Sequence, residues 1–135
     1  MKEVNAYLSF DGKCRRAMEF YQHCLGGDLE MSAYPDDSGA PSTAPDAPLM
    51  HSQLLRDGAA ILMASDSDSL TAGNSVSVAI QCESVEEIDR LFAALSKDGT
   101  VFMPVSDAPW GARFGMLKDQ FGIQWLLNHT LTSRD

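Results

Sequence analysis

The sequence predicts an α+β fold made of two βαβββ modules, because one pattern of strand, helix and strands occurs twice along it. In the first copy the alternating segment 7–10 leads into an amphipathic segment, 13–25, and two glycines follow. In the second copy the segment 75–80 leads into the amphipathic segment 85–95 and then into Asp-Gly. Each copy closes with a hairpin-like stretch of short apolar runs around polar turns.

The repeat also predicts the domain organisation. At 135 residues the chain is long enough for one domain or for two fused half-domains. Neither half alone would bury enough apolar surface to be stable. The modules 1–70 and 71–135 are therefore predicted to form a single domain over residues 1–135. A cleft is a natural consequence where two such units meet.

The strands of both copies are predicted to have one apolar face and one mixed face. In the first strand Leu8 and Phe10 alternate with Tyr7 and Ser9. The apolar faces should pack on the helices, and the mixed faces should then line the concave side of a curved sheet. The mixed faces carry Asn5, Tyr7, Ser9, Ser77, Gln81, Gln124 and Asn128. Such a surface predicts a cavity for a small molecule.

Two amphipathic helices are predicted to cover the apolar faces. Gly26 and Gly27 end the first helix, and Ser84 with Glu87 forms a capping-box pattern before the second. The predicted buried stripes are Ala17, Phe20, Tyr21 and Cys24 in the first helix and Ile88, Leu91, Phe92 and Leu95 in the second.

The segment 35–48 is predicted to be a mobile loop. It holds four prolines among Asp, Ser, Gly and Thr residues. A loop of this length either covers a cleft or only connects two strands across the surface, and both interpretations stay open.

The composition excludes several classes of partner. The chain carries 19 acidic and 10 basic residues, for a net charge of −9. Nucleic acids and anionic membrane surfaces bind basic faces, so neither is expected as a partner. The three cysteines form no Cys-x-x-Cys pair, which favours thiols in a reducing compartment. With no signal pattern and no run of 18 apolar residues in view, a cytoplasmic location is expected.

Motifs spread over nearly the whole chain carry a resemblance to a known family. They are Tyr7-Leu8-Ser9-Phe10-Asp11-Gly12, Ala17 to Tyr21, Gly26-Gly27, Met50-His51, Leu62 to Asp66, Met103-Pro104, Trp110 to Gly115, and Asp119 to Trp125. In these stretches the chain resembles the PhnB-like branch of the vicinal oxygen chelate superfamily, which includes glyoxalase I, extradiol dioxygenases and antibiotic-resistance proteins. The resemblance implies a glyoxalase-like fold, with a U-shaped mixed sheet of eight strands around a cavity, and a homodimer. A fold alone does not define a function.

The resemblance also implies where a divalent metal would bind, because enzymes of the family use one residue from the first and one from the last strand of each module. Carried onto this sequence, the positions are Asn5, Leu62 (or Met63, one residue on), Ser77 and Leu126. A divalent site needs several nitrogen or oxygen donors, and none of these residues is His, Glu or Asp. We therefore expect no metal and no other cofactor. The name ubiquinone methyltransferase, used for part of the branch, finds no support, since no glycine-rich loop joins a strand to a helix.

His51 is the candidate catalytic residue. It opens a strand, on the face that it shares with Gln53. Counting back from Leu55 and Leu117 places Arg113 at the equivalent position of the second copy. A histidine and a guanidinium facing one cavity could bind a carboxylate or phosphate, and the imidazole could act as a base near neutral pH. The alternative is a hydrogen-bonded structural histidine and a surface arginine.

The candidate ligand-binding residues are Tyr7, Gln53, Asp66, Trp110, Arg113 and Gln124. Asp66 ends a strand, where it could orient a ligand, although capping a turn is the simpler role. Trp110 could line a cavity or fill a sheet corner, and His23 and His129 are expected to face solvent. No Ser-His-Asp spacing, nucleophile elbow or phosphate loop is present in the sequence.

A PhnB-like protein that binds a small anionic molecule in a cleft fits these features best, with metal-independent catalysis left open. One alternative is a metal-dependent lyase or dioxygenase of the superfamily that draws its ligands from His51 and Asp66. The other is a resistance-type protein that sequesters a ligand without turnover. Stoichiometric metal would indicate the first alternative, and tight binding of an unchanged ligand the second.

Overall fold

The computed structural model of the chain describes residues 1–132. The chain forms two compact units, Met1–Ala72 and a second that begins at Gly73. Each unit has one helix and four strands in the order βαβββ, so the predicted α+β fold with two βαβββ modules is confirmed. Neither helix found in residues 1–132 is long and apolar enough to cross a bilayer.

The first module is a mixed four-stranded sheet with one helix on it. Its elements are β1 (Tyr7–Phe10), α1 (Cys14–Leu25), β2 (Asp28–Ala33), β3 (Leu49–Arg56) and β4 (Ala59–Asp66). The strand order is β1-β4-β3-β2, with β1 parallel to β4 and the other neighbours antiparallel. The helix α1 packs on β2, β3 and β4.

The second module repeats this arrangement. Its elements are β5 (Val78–Gln81), α2 (Val85–Leu95), β6 (Thr100–Ala108), β7 (Ala112–Lys118) and β8 (Gln124–Thr130). The strand order is β5-β8-β7-β6, again with only the first pair parallel in the part of the chain that the structure describes. The helix α2 packs on β7 and β8.

Alternation along the strands decides which side chains of the first module enter its core. Leu8 and Phe10 are buried whereas Tyr7 and Ser9 are exposed, as predicted. The buried residues of α1 are Cys14, Ala17, Met18, Tyr21 and Cys24. The prediction is wrong at Phe20, which is only half-buried. The stripe starts at Cys14, so helical spacing brings Met18 rather than Phe20 under the helix.

In the second module a helix with a local N-cap covers large buried side chains. The Ser84 hydroxyl accepts the Glu87 N–H at 3.0 Å, as predicted, while the Glu87 carboxylate accepts the N–H of Glu83 at 2.9 Å. The predicted stripe of α2 is confirmed at Ile88, Leu91, Phe92 and Leu95. Trp125 of β8 is 1% exposed, and its indole N–H donates to the Asp119 carboxylate at 2.7 Å.

The glycines that follow the helices show how the two modules correspond. A Cβ on Gly27 would meet the backbone carbonyl oxygen of Leu55, and a Cβ on Gly99 would meet that of Lys118. Close approach of backbone to backbone requires glycine at both points. Leu55 therefore corresponds to Lys118 and not to Leu117, which the repeat pattern in the sequence predicts as its equivalent.

This shift of one residue changes the partner of His51 in the repeat. His51 corresponds to Phe114, and the predicted correspondence with Arg113 is wrong. The burial pattern agrees, because Ser52 and Gly115 then occupy the same position, buried beneath α1 and α2 respectively. Successive residues of a strand point to opposite faces, so His51 and Arg113 lie on opposite sides of their sheets relative to the helices.

Residues 35–48 form a hydrogen-bonded connection between β2 and β3. The Tyr34 N–H donates to the Pro48 carbonyl at 3.0 Å, and the Ser42 N–H donates to the Tyr34 carbonyl at 3.1 Å. Pro35 and Pro41 pair as an isolated bridge. These bonds close the base of the loop, and its predicted mobility stays a prediction.

Candidate functional site

The open face of the first sheet, which is the face opposite α1, carries the polar side chains expected to line a cavity. The strand register places one row of four side by side, Tyr7, Met63, Gln53 and Glu30. A second row contains the pairs Ser9 with Ser65 and Ser32 with His51. Directly paired residues share a face, so both rows point away from the helix.

Tyr7 and His51 form a stacked and hydrogen-bonded pair on this face. The Tyr7 hydroxyl lies 3.1 Å from His51 Nδ1. The ring centroids are 5.8 Å apart with an interplanar angle of 29°. Tyr7 is 49% exposed and His51 is half-buried, so solvent reaches the pair. The contact leaves Nε2 outside this bond, as a donor when Tyr7 donates to Nδ1 and as an acceptor when Nδ1 carries the proton.

Gln53 lies beside this pair and has an acidic partner. Its Nε2 donates to Glu30 Oε1 at 2.6 Å, from β3 to the edge strand β2. This bond fixes the amide plane and leaves the Gln53 carbonyl oxygen as an acceptor on the open face. The first sheet thus brings together Tyr7, His51 and Gln53, three of the predicted site residues.

Asp66, by contrast, lies in the core. It is 5% exposed, and its two carboxylate oxygens accept the N–H of Cys14 at 3.0 Å and the N–H of Leu49 at 2.9 Å. Cys14 begins α1, and Lys13 at the helix cap supplies no side-chain hydrogen bond. The carboxylate therefore caps α1 from 52 residues away, which favours a structural role.

A cleft of about 560 Å³ lies next to this capped end of the helix. Its lining residues are Asp11, Gly12, Tyr34, Pro48, Asp66, Ser67 and Asp68. The Tyr34 hydroxyl donates to the Asp66 backbone carbonyl at 3.1 Å. Tyr34 precedes the connection 35–48 and Pro48 ends it, so that connection begins and ends at the rim of the cleft.

Arg113 lies on the helix-facing side of the second sheet. Its Nε donates to Asp89 of α2 at 2.8 Å, and its Nη1 donates to Asp107 of β6 at 3.1 Å. The hydrogen bonds to Asp89 and then to Asp107 raise the pKa of Arg113 above its ordinary value. Two carboxylates already neutralise the guanidinium. Contact of Arg113 with a ligand stays a prediction. It no longer has the support of an equivalence to His51, which was the reason for proposing it.

The open face of the second sheet, opposite α2, is largely apolar. Trp110 is 68% exposed and meets Phe114 edge-on, with ring centroids 5.9 Å apart at 73°. Gln124 donates through Nε2 to the backbone carbonyls of Asn74 at 3.0 Å and Val76 at 2.9 Å. The Gln124 amide nitrogen thus binds the segment that precedes β5. A ligand contact by Trp110 or Gln124 stays a prediction.

The residues at the family's metal positions do not fit a divalent ion. Leu62 is 2% exposed and faces α1, so the position on the open face is Met63, the second of the two predicted alternatives. Met63 offers only a thioether sulfur, and Leu126 offers no donor. Among residues 1–132 no group of three or more His, Cys, Asp or Glu side chains could hold a metal ion.

The buried thiols and His129 have packing roles. Burial raises the pKa of Cys14 and of Cys82 to about 11, so both thiols stay protonated near neutral pH and are poor nucleophiles. His129 is 5% exposed, and its Nδ1 lies 2.9 Å from the Cys82 carbonyl oxygen. The expectation that it faces solvent is wrong, because it continues the buried face of β8 that holds Trp125 and Leu127.

Three acidic partners of these contacts, Glu30, Asp89 and Asp107, were missed at the level of sequence. Glu30 could have been found from the sequence, because polar and apolar residues such as Glu30 and Met31 alternate in a strand-like segment just after the first helix. Asp89 had none, because its contact depends on which turn of α2 lies over β7.

Comparison with known proteins gives a consistent match over nearly the whole chain. A family model described as the Glyoxalase/Bleomycin resistance protein/Dioxygenase superfamily matches residues 3–127. Protein YjdN of Escherichia coli (strain K12) is 29% identical over 140 residues, which cover 93% of each chain. Protein PA1353 from Pseudomonas aeruginosa is 34% identical, with a TM-score of 0.81 over 98% of this chain and 100% of that one. A putative 3-demethylubiquinone-9 3-methyltransferase, PhnB protein, from Bacillus cereus is 27% identical, with a TM-score of 0.77 over 95% and 99%.

Proposed function

The chain belongs to the glyoxalase/bleomycin resistance protein/dioxygenase superfamily, and we propose that it binds a small polar molecule on the open face of its first sheet. The predicted resemblance to PhnB-like proteins is confirmed by the match to the PhnB protein from Bacillus cereus. Membership of a superfamily does not name a ligand. The observation that carries the proposal is the hydrogen-bonded pair of Tyr7 and His51 on a solvent-accessible surface.

Packing does not account for this pair. Leu8 and Phe10 supply the buried face of β1, and the two rings lie on the other face. An imidazole whose Nδ1 is held by a hydroxyl presents Nε2 in a defined direction. A histidine that orients a ligand or transfers a proton needs this arrangement.

The groups around the pair favour a polar ligand over a strongly anionic one. Gln53 and Ser32 supply neutral hydrogen-bonding groups, and the charged neighbour Glu30 is acidic. The predicted anionic ligand rested partly on Arg113, which two carboxylates already neutralise. We therefore propose a ligand that bears hydroxyl or carbonyl groups and bonds to Nε2 of His51.

Metal-independent proton transfer is the chemistry that His51 could add to binding. The metal-dependent alternative would need Asp66 as a second ligand, but both of its oxygens accept backbone N–H groups in the core. Asp66 is therefore not available as a metal ligand. The methyltransferase activity in the name of the Bacillus cereus protein is not part of the proposal, because the sequence has no glycine-rich nucleotide-binding loop.

Histidine-detected NMR tests the proposal. Small diols, hydroxy ketones, carboxylates and phosphates are titrated while the ring signals of His51 and His23 are followed. His23 is exposed on α1 and serves as the internal reference. A binder should shift the His51 signals and leave those of His23 unchanged. His51→Gln should weaken that binding about tenfold, because it removes the ring nitrogen that bonds to the ligand.

Tyr7→Phe is the matched variant, since it removes only the hydroxyl that holds Nδ1. We expect it to weaken binding less than His51→Gln and to leave the melting temperature within a few degrees of the parent. His23→Gln should change neither property. If both site variants bind every probe as the parent does, or if His51→Gln mainly lowers the melting temperature, the pair is structural. Recovery of altered probe after incubation would separate catalysis from sequestration.

A homodimer and a cytoplasmic location are part of the same proposal. The family resemblance supports the dimer, and the unpaired spacing of the cysteines supports a reducing compartment. Sedimentation at micromolar concentration should give twice the chain mass of 14.7 kDa. A monomer throughout a dilution series would contradict the dimer.

A further inference from the structure

One row on the open face of the second sheet combines an amide pair with the ring of Phe114, which Trp110 meets from the turn between β6 and β7. Gln81 lies beside Asn128 in the register of β5 and β8, and Asn128 lies beside Phe114 in the register of β8 and β7. Asn128 Nδ2 donates to Gln81 Oε1 at 2.9 Å, and Trp110 meets Phe114 edge-on. Paired side chains on neighbouring strands are about 5 Å apart, so amides and rings form one continuous surface.

The bond between the two amides leaves one donor and one acceptor available. Among the described residues, 1–132, neither Gln81 Nε2 nor Asn128 Oδ1 has a hydrogen-bond partner. Gln81 is exposed and Asn128 is partly exposed. A donor beside an acceptor is complementary to a ligand that carries N–H next to C=O, as a cyclic amide does.

The surroundings of the amide pair favour a neutral ring. The adjacent row consists of Ala79, Leu126, Met116 and Met103. Neither row contains a charged side chain, and a charged ligand placed there would lose its hydration without a counter-charge. The faces of Phe114 and Trp110 offer aromatic surface against which a planar ring can stack.

We propose that the open face of the second sheet binds planar cyclic amides, that is, lactams or imides fused to an apolar ring. The ligand N–H donates to Asn128 Oδ1, its carbonyl accepts from Gln81 Nε2, and its ring packs on Phe114 and Trp110. These residues all belong to the second module, so the site does not rest on His51.

Quinolin-2-one, a bicyclic lactam, and its N-methyl derivative test this site. Titration followed by proton–nitrogen NMR should shift the side-chain amide signals of Gln81 and Asn128 and the indole N–H signal of Trp110. The indole of Trp125 is the internal reference, because it is buried and bonded to Asp119. The N-methyl derivative should bind about tenfold more weakly, since it lacks the N–H and leaves Asn128 Oδ1 without a partner.

Variants connect that preference to the amide pair. Gln81→Met and Asn128→Leu keep the size of the side chain and remove its amide. In each variant the lactam and its N-methyl derivative should bind almost equally. Gln120→Met, in the turn between β7 and β8, is the matched control and should keep the parent's preference. Trp110→Leu should weaken both probes alike, because it removes only ring surface.

The assignment is overturned if neither probe binds, if the parent binds both equally, or if the preference persists in Gln81→Met. Binding that leaves the Trp110 indole unshifted would overturn it as well. Gln81 is exposed, so its variant decides the matter even if Asn128→Leu is unstable. His23→Gln, on the exposed side of α1 in the first module, should bind both probes as the parent does.

Discussion

The two modules have the same order and pairing of strands, but the open faces of their sheets differ in composition. At equivalent positions the first sheet presents Tyr7, Met63, Gln53 and Glu30, and the second presents Ala79, Leu126, Met116 and Met103. The helix-facing sides are mostly apolar or small in both. Packing against a helix constrains one face of each sheet, whereas the other face is free to diverge. The contrast favours hydrogen-bonding chemistry on the first sheet and recognition of apolar rings on the second.

Asp66 and His129 are one pair of equivalent positions at which the buried faces of the two sheets differ. Leu62 and Trp125 correspond, since each pairs with a buried leucine of the preceding strand, and Asp66 and His129 each follow four residues later. Asp66 accepts the first N–H of its helix, whereas His129 faces a backbone carbonyl. The second helix has a local cap, Ser84. The first helix is therefore capped by a carboxylate that is distant in sequence, whereas the second is capped by the residue that directly precedes it.

Removal of that carboxylate should have the largest effect on stability. Asp66→Ala leaves the buried N–H groups of Cys14 and Leu49 without a charged acceptor. We expect the free energy of unfolding to fall by roughly 3–5 kcal/mol in urea titrations. Asp68→Ala, two residues on and exposed, should change it by less than about 0.5 kcal/mol.

The equivalent test in the second module is Ser84→Ala. Loss of an N-cap hydroxyl typically costs about 1 kcal/mol. If Asp66→Ala costs no more than Ser84→Ala, the distant carboxylate does not hold α1, and the contrast between the two helices fails.

The second largest effect concerns the small residue beneath each helix. A Cβ on Gly115 would lie 2.6 Å from Phe92 Cε2 and 3.1 Å from Val105 Cα. Gly115→Ala should therefore lower the free energy of unfolding by about 1–3 kcal/mol. At the equivalent position, Ser52→Ala only removes the hydroxyl that donates to the Ala64 carbonyl at 2.8 Å, and we expect about 1 kcal/mol.

The Phe92→Leu background identifies the cause of the Gly115 effect. A smaller side chain at position 92 should relieve the contact and reduce the cost of Gly115→Ala in a double-mutant cycle. An equal cost in both backgrounds would place the strain at the backbone of β6 instead.

The smallest effect is expected at Arg113. Its two ion pairs are partly exposed, so Arg113→Ala should cost less than about 1 kcal/mol, and still less at high salt. Met50 occupies the equivalent position of the first sheet and is exposed, so Met50→Ala should be nearly neutral. A cycle with Asp89→Ala isolates the pair energy. A tenfold loss of carboxylate or phosphate binding in Arg113→Ala would restore the predicted anion site.

Sequence reasoning grouped three polar residues of the candidate site on one face but gave His51 the wrong equivalent in the second module. Tyr7, His51 and Gln53 share a face because alternation in a strand is a local property. Arg113 was assigned by counting along the repeat from Leu117, and an error of one residue in that count moves a side chain to the opposite face. The contacts of Gly27 and Gly99 with their sheets reveal the correct count.

Local periodicity was enough to predict the two modules, their helices and the apolar face of most strands. The reason is that the spacing of apolar residues in a helix or a strand depends only on residues close together in the sequence. The capping box at Ser84 belongs to the same class of signal. The tertiary structure decided which residues Asp66, Arg113 and His129 contact. Most of those contacts join residues at least 17 positions apart in the chain, and their energy depends on burial and geometry that arise only once helix and sheet have packed.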